Sequence, residues 1–208
     1  MDKENEIFSP GWDAITNECK RVYKNQDNPI HYGTLISWDL GGDDPLEGIS
    51  VYESEEYYHF VTYGLTELYD KSSSNKDVSG YGMEFTYKLK KGCYENLESE
   101  IKSMCKIFQQ IARITFLNGE VFNEFEYLYT GQKEGLDSRS VSKITGFITV
   151  LDETFNSVDT VNGKVKFVEF IGVTDSELTS ILNKQITVKE LYAKLNSDVT
   201  DYSRESIV

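Results

Sequence analysis

The ten residues YGMEFTYKLK, at 81–90, limit the possible folds of this chain more than any other stretch. Met83, Phe85, Tyr87 and Leu89 alternate with Glu84, Thr86 and Lys88. Successive side chains of a strand point to opposite faces, so this pattern predicts a strand with one face in a core. Such a strand needs neighbours to satisfy its backbone. Strand-like runs precede it at 34–40 (TLISWDL), 48–54 (GISVYES) and 57–65 (YYHFVTYGL), and follow it at 125–130 (FEYLYT) and 141–153 (VSKITGFITVLDE). In TVNGKVKFVEFIGV, at 160–173, Asn162-Gly163 lies between β-rich residues, a strong hairpin signal.

Helices interrupt these runs. Over 96–117, Leu97, Ile101, Met104, Cys105, Phe108, Ile111, Ala112 and Thr115 form a wide apolar stripe, and Asn118-Gly119 stops it. Ser9-Pro10 opens an earlier helix with Trp12, Ile15, Cys19 and Val22 on one face, ended by NQDNP at 25–29. TDSE (174–177) and TVKE (187–190) are capping-box patterns that open short helices. DKSSSNKDVSG, at 70–80, reads as a mobile polar loop. Strands and helices interleave without strict βαβ alternation. The expected class is therefore α+β, a mixed sheet covered by helices, within one domain.

Charge is unevenly distributed. The chain carries a formal net charge of −14, and residues 25–70 hold ten acids and no Lys or Arg. They are Asp27, Asp39, Asp43, Asp44, Glu47, Glu53, Glu55, Glu56, Glu67 and Asp70. Such a field disfavours direct contact with nucleic acid or an anionic membrane and attracts basic partners. MDKENEIFSPGW at the N-terminus lacks the apolar core of a signal peptide or a membrane span. Cys19, Cys93 and Cys105 make no CxxC pair and read as reduced thiols of a cytoplasmic protein, with Cys19 and Cys105 in the core.

No motif indicates catalysis. There is no G-x-S-x-G and no phosphate-binding G-x-x-x-x-G-K-[ST]. His31 and His59 lie in β-type surroundings and read as hydrogen-bonded structural residues. Three Cys and two His give no zinc spacing, and DLGGDDPLEG lacks the register of a calcium loop. Neither a metal nor an organic cofactor is expected. LGGDDPLEG reads as a tight connection in which Gly41 and Gly42 permit positive φ. It displays Asp43, Asp44 and Glu47 without neutralising neighbours in sequence.

Several segments together resemble the suppressor of fused domain family. They are PGWDAI (10–15), NPIHYGTLISWDLGGDDPLEGISVY (28–52), HFVTYGLTELY (59–69), VSGYGMEFTYKLK (78–90), DTVNGKVKFVEFIGVTDSEL (159–178) and TDYSRESI (200–207). Their order extends the resemblance over residues 9–207. At 57–60 this chain reads Tyr57, Tyr58, His59 and Phe60, so it lacks the hydroxyl the family often has at the last position. The resemblance implies a non-enzymatic binding domain of mixed α/β fold. Animal members clamp a transcription-factor peptide as an added strand between this domain and a second one. Bacterial stand-alone members resemble immunity proteins, or antitoxins, and the Lys-, Asn-, Tyr- and Ile-rich composition looks bacterial. The expected partner is thus a cognate toxin, a basic nuclease domain; the alternative is a regulatory module that adds a ligand strand to its sheet. Trp38, Asp39, Asp43, Asp44, Glu47, Tyr52, Tyr58, His59 and Asp70 are the expected partner-binding residues.

Overall fold

The computed structural model describes residues 8–208; most of the N-terminal stretch read for a targeting signal lies outside these. Four helices, α1 (Pro10–Val22), α2 (Leu97–Asn118), α3 (Asp175–Leu182) and α4 (Val188–Leu195), accompany nine strands among the described residues. The strands are β1 (Ile30–Gly33), β2 (Gly48–Glu53), β3 (Tyr57–Tyr63), β4 (Val78–Lys90), β5 (Tyr127–Leu128), β6 (Ile144–Leu151), β7 (Val158–Thr160), β8 (Gly163–Thr174) and β9 (Val199–Thr200). They form a single mixed sheet in the order β1-β2-β3-β4-β8-β6-β5, with β7 added to β8 and β9 to β4. β4 runs parallel to β8 and β9, and the other pairs are antiparallel. The α+β expectation holds.

Helices cover both faces of this sheet. On one, Ile101, Met104 and Phe108 of α2 pack on Met83, Phe85, Tyr87 and Phe170. On the other, Ile15, Cys19 and Tyr23 join Tyr52, Val61, Tyr63 and Phe167 around α1. Leu178, Ile181 and Leu191 of α3 and α4 cover Ile148, Val150, Ile171 and Val173. β4 is therefore buried on both sides, and Glu84, Thr86 and Lys88 are as enclosed as the apolar residues that alternate with them. The alternation separates an apolar interior face from a polar interior face, because a central strand with helices on both sides has no solvent face.

Other expectations shift. TLISWDL is not a strand. β1 begins earlier, at Ile30, and Trp38–Leu40 form one 3-10 turn closed by Gly41 N–H on Trp38 O. Gly41 adopts φ +87°; Gly42 does not, but a Cβ there would lie 2.0 Å from Ile36 O. FEYLYT contributes only two paired residues, Tyr127 and Leu128. In the late hairpin Thr160 pairs with Gly163, which places Val161 and Asn162 at the turn, one residue earlier than an Asn-Gly centre. Both capping boxes form, at Thr174/Glu177 and Thr187/Glu190. α2 ends at Gly119 in the left-handed region. Cys19 is a core residue, whereas Cys105 is half-buried.

Candidate functional site

Two glutamates, Glu84 buried and Glu67 half-buried, shape the region that the sequence singles out. Glu84 of β4 accepts from Thr62 Oγ1 (2.6 Å), Gly64 N (3.1 Å), Thr66 N (3.0 Å) and Thr66 Oγ1 (2.6 Å), and so pins the chain leaving β3. Burial pushes its carboxyl up to about 7 against these donors. Gly64 sits at φ +128°, where a Cβ would come within 2.7 Å of Glu47 N, so this loop and the Pro45–Glu47 segment press together. Glu67 accepts from Ser72 N (2.7 Å), Gly80 N (3.0 Å) and Lys71 Nζ (2.7 Å), as well as from Ser73 N. Burial alone would raise the Glu67 carboxyl, but Lys71 and these amides outweigh it and hold it at about 2. The start of the 70–80 loop is thereby tied to the start of β4.

The loops so fixed enclose a cavity of about 550 Å³. Trp38, Asp39, Glu47 and Asp70 all line it, with Tyr69, Tyr81 and Phe116 among its aromatic walls. No Lys or Arg among the described residues lines it. The Trp38 ring meets Phe116 edge-on at 5.7 Å. Burial, reinforced by the charge of Asp39, raises the Glu47 carboxyl above its ordinary value. A cavity with aromatic walls and carboxylates at its rim suits a cationic side chain, which gains from both ring faces and opposite charge.

The remaining expected residues lie elsewhere. Asp43 and Asp44 line a neighbouring cavity between the 34–44 loop and α2. Asp44 is not free of a counter-charge: Arg113 of α2 donates to its Oδ1 (3.0 Å) and to Asp43 O (2.9 Å). Tyr58 is half-buried beneath Lys91, whose Nζ stands 5.0 Å from the ring centroid. Tyr52 is buried and stacks on Tyr23 at 4.9 Å, so it offers no exposed anchor. His59 is fully buried as well. Of the ten acids in 25–70, Asp44, Glu53 and Glu67 have a basic partner (Arg113, Lys91 and Lys71), which leaves seven without one among the described residues.

His59 belongs to a buried ionic hub that sequence reasoning missed. Its Nδ1 meets Tyr23 Oη at 2.7 Å and its Nε2 meets Asp152 Oδ2 at 2.8 Å. Lys88 Nζ lies 3.3 Å from Asp152 Oδ1 and 3.0 Å from Glu169 Oε2, and also donates to Asp198. Burial lowers the His59 pKa, so the ring is neutral, donating through Nε2–H to Asp152 and accepting from Tyr23. Burial would raise Asp152, but the bond from His59 and the charge of Lys88 hold it well below the usual carboxylate range. Burial and the adjacent Asp152 push Glu169 well up, and its Oε1 has no partner. The Tyr–His–Asp order resembles a catalytic relay, yet His59, Lys88, Asp152 and Glu169 line none of the five main cavities. This hub fastens β3, β4 and β8 to one another and to the segment that follows β6. The signal was present in the polar half of YGMEFTYKLK, the face opposite the one assigned to the core.

Burial pushes the Cys19 and Cys105 thiols up to about 12 and Cys93 up to about 11, far from thiolates at neutral pH. Among the described residues no group of three or more His, Cys, Asp or Glu side chains converges as a metal site. None of the described helices is long and apolar enough to cross a membrane.

The family model described as Suppressor of fused protein (SUFU) matches residues 42–205. The chain belongs to the suppressor of fused family. Its matched region begins within the Gly-Gly-Asp-Asp-Pro turn and so takes in Glu47, both glutamate anchors and the ionic hub. The human Suppressor of fused homolog is 29 % identical over 183 residues, 82 % of this chain and 37 % of that protein. The mouse homolog matches to the same extent. The chain thus spans little more than a third of the curated relatives it matches. Two solved family structures superpose closely. The Sufu-Fu complex gives a TM-score of 0.78 at 25 % identity, covering 95 % of this chain and 91 % of that one. Drosophila Suppressor of Fused gives 0.79 at 25 % identity, covering 99 % and 53 %.

Proposed function

We propose that this family member is a non-catalytic binding protein whose partner is a basic protein domain, received at the cavity of Trp38, Asp39, Glu47 and Asp70. The observation that carries the reading is the convergence, on one cavity, of a tryptophan and three acids, with no basic partner to those acids and no lining Lys or Arg among the described residues. A nuclease toxin fits this surface. Its active site is built for phosphate, which clustered carboxylates on a rigid frame can imitate, and opposite charge speeds encounter. On this reading the chain acts in the cytoplasm as an immunity protein, neutralising a toxin by direct binding, with no cofactor and no contact of its own with nucleic acid. One solved relative is described in complex with Fu, so protein association has precedent on this fold.

The test is co-purification with the product of the adjacent gene, followed by association rates against ionic strength. The variant Asp39→Asn/Glu47→Gln/Asp70→Asn is expected to associate about tenfold more slowly and to lose most of the salt dependence. A wild-type rate insensitive to salt, or a variant that associates as fast as wild type, would remove the cavity from the interface. A second reading, addition of a ligand strand to the sheet, is favoured by a different observation: β1 is an open edge among the described residues.

A further inference from the structure

We infer that β1 is a docking edge for an extended segment of a partner protein, with an aliphatic centre and Lys or Arg on both flanks. The inference rests on the binding-protein reading and locates its strand-adding form. Among the described residues β1 pairs only with β2, in the register Ile30↔Val51 to Gly33↔Gly48. Thr34 N–H donates to Glu47 O (3.0 Å), which makes Thr34 and Glu47 a hydrogen-bonded pair. Such pairs alternate along an antiparallel ladder. Ile30 and Tyr32 therefore face β2, while the N–H and C=O groups of His31 and Gly33 point away from it. Among the described residues, nothing bonds these four groups.

Sheet edges are ordinarily protected by a charge, a proline within the strand, a bulge or a covering helix. β1 reads Ile-His-Tyr-Gly, with no charge and no proline. The opposite edge, β5, is blunted by having only two residues. Leu35 is fully exposed beside β1, and Ile36 and Leu40 are also exposed. Below the open edge lies a cavity of about 590 Å³, walled by Tyr32, Leu35 and Ile36 on one side and by Cys105, Gln109 and Arg113 of α2 on the other. A strand laid along His31 and Gly33 would send alternate side chains into this cavity, so its backbone would supply affinity and its apolar residues specificity.

Charge selects the occupant. Asp27 and Glu55 stand together with Ile30 around a cavity at one end of β1, and Asp43 lies beside Gly33 at the other. None of these three acids has a salt-bridge partner among the described residues. The cations near the edge are Arg113, engaged by Asp44 (3.0 Å), Lys91, engaged by Glu53 (2.6 Å), and Lys106 on α2. An uncharged strand between acidic ends matches an apolar segment between basic ends.

The probe is the synthetic peptide Lys-Lys-Ile-Thr-Val-Thr-Ile-Lys-Lys, compared with a twin carrying Glu in place of each Lys. Amide hydrogen exchange followed by NMR is expected to slow at least tenfold at His31 and Gly33 with the basic peptide, and not with its twin. Gly33→Pro removes an outward N–H without touching the β2 ladder. The glycine has no positive φ, and a Cβ there meets nothing closer than 3.7 Å. This variant is expected to melt like wild type and to bind the peptide at least tenfold more weakly. If it fails to fold, the wild-type exchange data decide alone. The inference is overturned if the peptide does not bind, if His31 and Gly33 stay unprotected on binding, or if folded Gly33→Pro binds equally well. Self-association that Gly33→Pro abolishes, without peptide binding, would make a second copy of the chain the occupant instead. Unchanged toxin association in the Asp39/Glu47/Asp70 variant would sink the cavity reading but leave this edge untouched.

Discussion

Replacing Lys88 with Met asks whether the buried hub holds the sheet together. Lys88 is fully buried and its ammonium serves Asp152, Glu169 and Asp198. Hydrogen bonds to charged groups each contribute about 1.5–3 kcal/mol net, so three would suggest a large loss. The geometry reduces it. A third of the Asp198 side chain is exposed and regains water, and Glu169, pushed toward its neutral form, loses only one donor. Asp152 is different: it is wholly buried and ionised, and among the described residues Lys88 is the one cation beside it. Orphaning a buried charge costs about 3–5 kcal/mol, which is the loss expected at pH 7. Urea denaturation with an unchanged m-value measures it. Adding Asp152→Asn removes the orphaned charge while keeping an acceptor for His59, and should restore at least about 1 kcal/mol. The pH arm follows from the same cause. Without Lys88 the Asp152 carboxyl rises, and a raised carboxyl gives stability that is lost as pH increases, so the deficit of Lys88→Met should shrink between pH 7 and pH 4. A loss below about 1 kcal/mol, or an Asp152→Asn cost that simply adds, would refute the reasoning.

Three further outcomes are expected. Glu67 is held at about 2, so its stabilisation is complete above its ordinary value of 4.5 and disappears as pH falls toward 2; NMR should show the Ser72, Ser73 and Gly80 amides losing exchange protection together over that range. Trp12 is half-buried, stacked on Tyr63 at 4.4 Å, so Trp12→Ala should cost about 2 kcal/mol by urea denaturation rather than the larger loss of a fully buried indole. Thr174→Ala removes one half of the box that opens α3 and should cost about 1 kcal/mol in the same assay, with Thr187→Ala at α4 behaving alike.

Much of this protein follows from local chemistry. The stripe from Leu97 to Thr115 makes α2 wherever it lies, because its spacing defines one face of a helix. Thr174 and Thr187 cap because each has a glutamate three residues on. The ten acids of 25–70 are a property of the chain itself, and so is the family resemblance carried by the Gly-Gly-Asp-Asp-Pro and YGLTELY segments. Which acids matter was a different question. Trp38, Asp39, Glu47 and Asp70 share a cavity only because Glu84 and Glu67 fold the intervening loop back onto β4. Asp44 lost its apparent freedom to Arg113, 69 residues away. The alternation left the polar side of YGMEFTYKLK unassigned; the tertiary fold encloses it and joins Lys88 to Asp152 and Glu169, far along the chain. A period of two reports that a strand has two different faces; whether the second face meets water or other charges depends on what packs above it, and that is settled by long-range contacts alone.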